Sequence, residues 1–173
     1  MSRRYISILV TIMLAACTYA VEADVSMAFD KDCEAFVLKR IDEAKASIDV
    51  AIYSFTRHNI SRALVRAVKR GVKLSVKYDN AQAQEENMKE VIEFLGKNGV
   101  PCEPVSYADD KTRMHHKFMV IDDKRVITGS YNFTSQASES NAENVLCIES
   151  REIAEAYHKE FAAIKSEKKE KKK

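Results

Sequence analysis

Two hydrophobic rhythms alternate along the chain. In one, apolar positions recur every three to four residues, which predicts helices. Residues 33–48 place Phe36, Val37, Ile41 and Ala44 at that spacing, with Asp30 or Asp32 positioned to cap the start. Residues 59–71 carry the stripe Ile60, Ala63, Leu64, Ala67 and Val68 and stop at Gly71. Residues 84–98 turn Met88, Val91, Ile92 and Leu95 to one side, and residues 151–164 form a closing helix. In the other rhythm apolar and polar residues alternate, which predicts strands. These cover 47–55, with Ile48, Val50 and Ile52 on one face, then 72–79 and a short strand at 102–105. A hairpin of 115–122 and 125–129 turns on Asp-Asp-Lys, and a last strand covers 143–150. The order predicts an α/β fold, a mixed β-sheet flanked by helices on both faces. No internal repeat is visible.

Composition sets the limits of this picture. Of 173 residues, 46% are apolar, enough for one domain with a sizeable core, which the pattern places at residues 24–164. The start reads as an export signal over residues 1–23. Arg3 and Arg4 precede 12 mostly apolar residues, Tyr5–Ala16. That run is shorter than the roughly 20 residues needed to cross a bilayer. Cleavage after Ala20 or Ala23 releases a soluble protein; Leu14-Ala15-Ala16-Cys17 instead resembles a lipobox, with Cys17 lipidated as a membrane anchor. Both exits predict an exported protein, periplasmic or secreted in the first case and membrane-anchored in the second. The formal charge of +2 hides an uneven distribution: residues 165–173 hold six lysines and two glutamates and read as a solvated tail. Without leader and tail the body is mildly acidic, which excludes a generally basic nucleic-acid binder and confines any polyanion site to a local patch. Cys33, Cys102 and Cys147 lack the paired spacing of a zinc site, and they read as small buried residues or as a source of one disulfide.

The chemistry concentrates in residues 114–133, MHHKFMVIDDKRVITGSYNF. On a strand, His115 and Lys117 point the same way about 6.6 Å apart, a gap that suits two groups flanking one phosphate. His116 faces the other way with Phe118 and Val120, and Asp122 reads as structural, holding the hairpin or a neighbouring backbone. Gly129 lets backbone come close to a bound group. Ser130 and Asn132 offer neutral donors, and Lys111 and Arg113 lead into His115 as candidate groove cations. No carboxylate cluster adjoins the motif, so neither metal nor cofactor is expected and positive charge must come from side chains. Of the other histidines, His158 reads as packing or surface, while His58 sits in a loop at a strand end, where function concentrates.

The series His115-x-Lys117, Asp122, Gly129-Ser130 and Asn132 resembles the HKD motif of the phospholipase D superfamily. Six fixed residue types at about 5% usage each match by chance in roughly 10⁻⁸ of start positions. The likeness extends over about residues 26–164, where the segments before and after the motif resemble those of the single-motif bacterial endonucleases of that superfamily. It implies a phospholipase D-like sandwich with one motif per chain. It also implies that His115 attacks phosphorus to form a phosphohistidine, which water then releases. Lys117 and Asn132, helped by Ser130, would hold the non-bridging oxygens, and Glu143 would hydrogen-bond the far nitrogen of His115. The leaving oxygen needs a second acid, which a twofold homodimer with two facing His115 residues supplies. Phosphodiester chemistry is specified and the alcohol is not. The first expectation is a metal-independent endonuclease of low sequence specificity, contacting the nucleic-acid backbone. The alternatives are a phospholipase D acting on lipid headgroups and an envelope protein that binds or takes up nucleic acid.

Overall fold

Short alternating segments pair into one sheet and amphipathic segments cover it, in the order the hydrophobic pattern predicts. The structure, a computed structural model, describes residues 22–109 and 111–167. Residues 1–21 of the expected leader, with Cys17, and residues 168–173 of the lysine-rich tail lie outside the described residues. The chain runs β1 (Asp24–Phe29), α1 (Asp32–Glu43), β2 (Ser47–Ile52), α2 (His58–Lys69), β3 (Lys73–Asp79), α3 (Glu86–Lys97), β4 (Cys102–Val105), β5 (Lys117–Ile121), β6 (Arg125–Gly129), α4 (Ser135–Glu139), β7 (Asn144–Glu149) and α5 (Arg151–Ala163). Among the described residues these strands form one sheet in the order β1-β7-β6-β5-β2-β3-β4. β2, β3 and β4 are parallel, and the remaining pairings are antiparallel.

Helices lie on both faces, as expected. Val37 and Ile41 of α1, Leu64 of α2 and Met88 and Leu95 of α3 pack on Ile48, Val50, Ile52, Val76, Met119 and Ile121. The opposite face belongs to α5, whose Ala154 and Phe161 pack on Ala51, Phe118, Val120 and Val126. Each large apolar side chain buried this way contributes about 1.5–3 kcal/mol. Lys77, on the same face, fastens the far end of α5. Its Nζ donates to the carbonyl oxygens of Phe161 at 3.0 Å and Ile164 at 2.7 Å, which the helix end leaves unpaired. Among the described residues no helix is long and apolar enough to cross a membrane.

Several details depart from the pattern. β1 and the five-residue α4 were not expected. Neither Asp30 nor Asp32 caps α1, which starts after Lys31 without a side-chain cap; Asp30 instead accepts the Glu143 amide hydrogen at 3.1 Å. The expected helix over 33–48 stops at Glu43. The cause is Asp122, whose carboxylate accepts the backbone N–H groups of Lys45, Ala46 and Ser47 at 3.1, 2.7 and 3.1 Å. Donors engaged this way are lost to a further helical turn, and the chain turns into β2. Asp122 and Asp123 both take left-handed backbone (φ 53° and 55°) at the hairpin, so Asp122 leaves the packing face of β5 and points at the α1–β2 loop. Asp tolerates that conformation better than most residues. His158 is more than packing: its ring bridges Asp49 Oδ2 at 3.2 Å and Asp123 Oδ1 at 2.7 Å. Cys33, Cys102 and Cys147 are all free thiols, and burial pushes the first two up to about 11.

Partial burial opposes ionisation of Asp122, but the Ala46, Ser47 and Lys45 donors outweigh it and hold the carboxyl below its ordinary range. A depressed carboxyl stabilises the fold above its unfolded value, and this contribution fades as pH falls through the folded value. Asp122→Asn is therefore expected to cost about 2 kcal/mol at pH 7. In denaturant titrations the gap to wild type should shrink as pH drops below the carboxylate range.

Candidate active site

The site forms at the edge of the sheet where β2 and β3 end, the position at which open α/β sheets bind ligands. Its backbone is set by ties from distant segments. Asp79, buried at the end of β3, accepts the Met114 amide hydrogen at 2.9 Å, and the Tyr53 amide donates to the His116 carbonyl at 2.9 Å. Residues 114–116 thus stay outside the β5 ladder, which starts at Lys117 and not at the expected His115. Ile52 lies opposite Lys117 across β2 and β5. β6 then delivers Gly129 and Ser130, and the turn beyond it delivers Asn132.

His115 and Lys117 come together. Lys117 Nζ donates to the His115 carbonyl oxygen at 2.9 Å and stands 3.3 and 3.4 Å from the ring's Nδ1 and Nε2. Tyr53 supports both: its ring centroid is 4.4 Å from the imidazole and 5.1 Å from the Lys117 ammonium. These two residues open onto one cleft with Thr128, Gly129, Ser130 and Asn132. Asn132 Oδ1 is buried there without a hydrogen-bond partner. His116, expected on the packing face, also lines this cleft, with Nε2 3.2 Å from Glu160 on α5 and its ring edge-on to Phe118.

Electrostatics prepare His115 as a neutral base. Burial, followed by the Lys117 charge, lowers its pKa, with Asp79 opposing and His116 adding slightly. Burial likewise lowers Lys117, against the pull of Glu143. A neutral imidazole has a free lone pair on one nitrogen, which is what attack on phosphorus requires.

Other expectations are corrected. Glu143 is not hydrogen-bonded to His115. It accepts the Ser130 hydroxyl proton on Oε2 and the Asn141 amide at 3.0 Å on Oε1. Ser130 is accordingly committed: its oxygen also accepts the backbone N–H of Asn144 at 3.1 Å. Gly129 serves a close backbone approach to β7. A Cβ there would lie 2.2 Å from the Asn144 carbonyl oxygen. Lys111 and Arg113 do not line the His115 cleft; Arg113 lines a neighbouring hollow with Asp79, Asn80 and Tyr107. His58 is an exposed first residue of α2 and is not among the cleft's lining residues. Among the described residues no group of three or more His, Cys, Asp or Glu is arranged to hold a metal ion. The residues not foreseen are Asp79 and Tyr53. Asp79 ends β3 and Tyr53 follows the last residue of β2, and an acid closing a parallel strand was the available signal.

With this geometry in hand, comparison with known proteins is specific. Residues 37–165 match the family model described as cardiolipin synthase, PLD-like domain. The chain is 38% identical over 127 residues to a protein named phospholipase D from Rickettsia felis, covering 72% of this chain and 60% of that one. It is 34% identical over 128 residues to human mitochondrial cardiolipin hydrolase, covering 74% and 49%. The chain therefore spans about half to three-fifths of the length of these curated relatives. Among solved structures it superposes on Nuc from Salmonella typhimurium, a phospholipase D family member, with TM-score 0.78 and 29% identity, covering 83% of this chain and 94% of that one. NucT from Helicobacter pylori gives TM-score 0.75 at 25% identity, covering 83% and 96%. An α/β sheet of this topology, with this extent of sequence match, defines the class. The chain belongs to the phospholipase D-like family.

Two outcomes test the geometry. The C2 proton of His115, followed by NMR, should titrate below the ordinary imidazole midpoint of about 6.5, and Lys117→Met should move that midpoint upward by removing the adjacent charge. Gly129→Ala should part β6 from β7, lowering the melting temperature and raising amide exchange at Ser130 and Asn144.

Proposed function

We propose that the protein is a phosphodiesterase working through a phosphohistidine on His115, with nucleic acid as its first substrate class. The observation that carries this reading is the pairing of the exposed His115 imidazole with the Lys117 ammonium at 3.3 Å in a cleft shared with Asn132. One ring nitrogen attacks phosphorus. The new N–P bond forms as the P–O ester bond breaks, and the departing oxygen takes a proton from a second imidazolium. Water then attacks phosphorus, the N–P bond breaks, and the water's proton returns to that second imidazole. Lys117 and Asn132 hold the non-bridging oxygens as charge builds on them.

His116 lines the same cleft, but its Nε2 is engaged by Glu160 at 3.2 Å, which leaves it poorly placed as the second acid. A twofold homodimer that sets two His115 residues on one phosphate completes the site. Glu143, through Ser130 and Asn144, supports the β6–β7 edge that carries Asn132. The superposition over nearly the whole of Nuc supports an endonuclease reading. The relatives named phospholipase D and mitochondrial cardiolipin hydrolase support the alternative, a lipid headgroup substrate. The leader read in residues 1–23 supports export, with Cys17 as the anchor point if it is lipidated.

One paired assay decides between them. In EDTA, wild type should nick plasmid DNA, and His115→Ala should lose at least about 10³-fold of that rate. Headgroup release from phospholipid vesicles without DNA cleavage would replace the nuclease reading by the lipase one. DNA retention without cleavage by either protein would leave a binding protein and remove the enzymatic reading altogether.

A further inference from the structure

The helices of this mildly acidic body divide its charge unevenly. α1, α3 and α5 each carry more acids than bases. α2 carries Arg62, Arg66 and Lys69 and no acid, with Arg70 as its C-cap. Its other side, with Ile60, Ala63, Leu64 and Ala67, is buried. The cations therefore fall on the exposed side, joined at the start by exposed His58. Residues three and four apart are neighbours on a helix surface, so 58, 62, 66 and 69 form one row. Successive members stand about 5–6 Å apart along the axis, a step similar to that between phosphates of one nucleic-acid strand. The row is lightly neutralised. Asp42 of α1 lies 3.1 Å from Arg66 and 3.8 Å from Arg70, and all three side chains stay open to solvent. Such surface pairs contribute little, so a phosphate can replace the carboxylate. Among the described residues Arg62 and Lys69 form no ion pair. The row also starts at the cleft. The Thr56 and Arg57 amides donate to the Phe133 carbonyl oxygen at 2.8 Å, one residue past Asn132, and α2 begins next. The acids at this mouth, Glu34 and Glu139, are both held by Arg57, at 2.8 and 2.7 Å.

We propose that the outer face of α2 is a second anion-binding surface, which carries the sugar–phosphate backbone of a nucleic acid whose scissile phosphate lies at His115. The inference rests on the nucleic-acid reading of the cleft and goes beyond it: the cleft takes one phosphate, and α2 takes the strand leading away from it. Charge selects this occupant. A polyanion gains from each cation along the row, whereas a single headgroup in the cleft reaches none of them. A lipid surface needs apolar side chains to bury beside the cations. Among the described residues the large exposed apolar side chains lie on β1 instead, as Val25, Met27 and Phe29. Nothing on α2 is free to read a base: the Asn59 amide is spent on Glu34 at 2.9 Å. The surface is therefore blind to sequence, as backbone contacts are. Its twelve residues span about 18 Å, the length of only a few nucleotides. It supplies the local basic patch that an acidic body needs to hold a polyanion.

Fluorescence anisotropy with a labelled DNA oligonucleotide tests the assignment, in a His115→Ala background that leaves the DNA intact. One variant combines Arg62→Gln, Arg66→Gln and Lys69→Gln, whose side chains are all exposed, so the fold is kept. Its dissociation constant at low salt should rise at least about 10-fold, and the slope of log affinity against log salt should fall by about 2 to 3. A control that removes equal charge from α3 and α5, Lys89→Gln with Lys97→Gln and Lys159→Gln, should change both far less. With His115 restored, the α2 variant should show a raised KM for long DNA and wild-type turnover of the small diester bis(p-nitrophenyl) phosphate. Unchanged affinity and salt slope overturn the proposal. An equal loss in the lysine control also overturns it, because net charge and not α2 would then bind. A variant that loses phosphatidylglycerol vesicles while keeping DNA overturns it too and makes a lipid surface the occupant. DNA binding that depends on α2, in a wild type that cleaves no DNA, supports this surface and sinks the nuclease reading, so the two fail separately.

Discussion

The grip of one carboxylate on three backbone amides organises this molecule. Asp122 stands at the tip of the β5–β6 hairpin and holds the N–H groups of residues 45–47, some 75 positions earlier in the chain. It ends α1, starts β2 and fixes the register in which β2 meets β5. That register sets Ile52 opposite Lys117 at the far edge of the sheet. A slip of one residue would turn Lys117 from the cleft into the face that packs on α5. The motif's aspartate thus acts about one strand length from the chemistry, through the geometry of the sheet.

A second layer of ties refines what the register places. Asp79 holds Met114, the Tyr53 amide holds the His116 carbonyl, and Glu143 with Ser130 and Asn144 sews β6 to β7 beside Gly129. Arg57, at the mouth of α2, joins Glu34 of α1 to Glu139 of α4 at 2.8 and 2.7 Å and so steadies the turn after Asn132. None of these side chains needs to touch a phosphate. They restrict the freedom of those that do, which is how a shallow, open cleft keeps a defined shape.

Much of this was legible in the residues themselves. Helical stripes such as Ile60-Ala63-Leu64-Ala67 and the alternation of Ile48, Val50 and Ile52 report burial directly, because one buried face is what a helix or strand needs. The closeness of His115 and Lys117 was expected from their spacing, although His115 lies just outside β5 and is placed by the ties on its neighbours Met114 and His116. Less legible was whatever depends on the path of a loop. Glu143 lies 28 residues beyond His115 in the numbering, and nothing in that spacing tells that its carboxylate turns to Ser130. Asp30 and Asp79 look like ordinary acids until folding sets them beside residues 113 and 35 positions away. β1 escaped notice because small Ser26 and Ala28 weaken its alternation and its apolar positions face outward.

Lys77 carries a consequence for how the chain matures. The carbonyls it holds belong to Phe161 and Ile164, separated from it by 84 and 87 positions. Until a ribosome has released residues 161–164, Phe118, Val120 and Val126 lack much of their cover, and the sheet stands with one apolar side open. Such late closure is where nascent chains stick to one another. α5 is therefore as much a protective cover for the newborn protein as a part of the finished one.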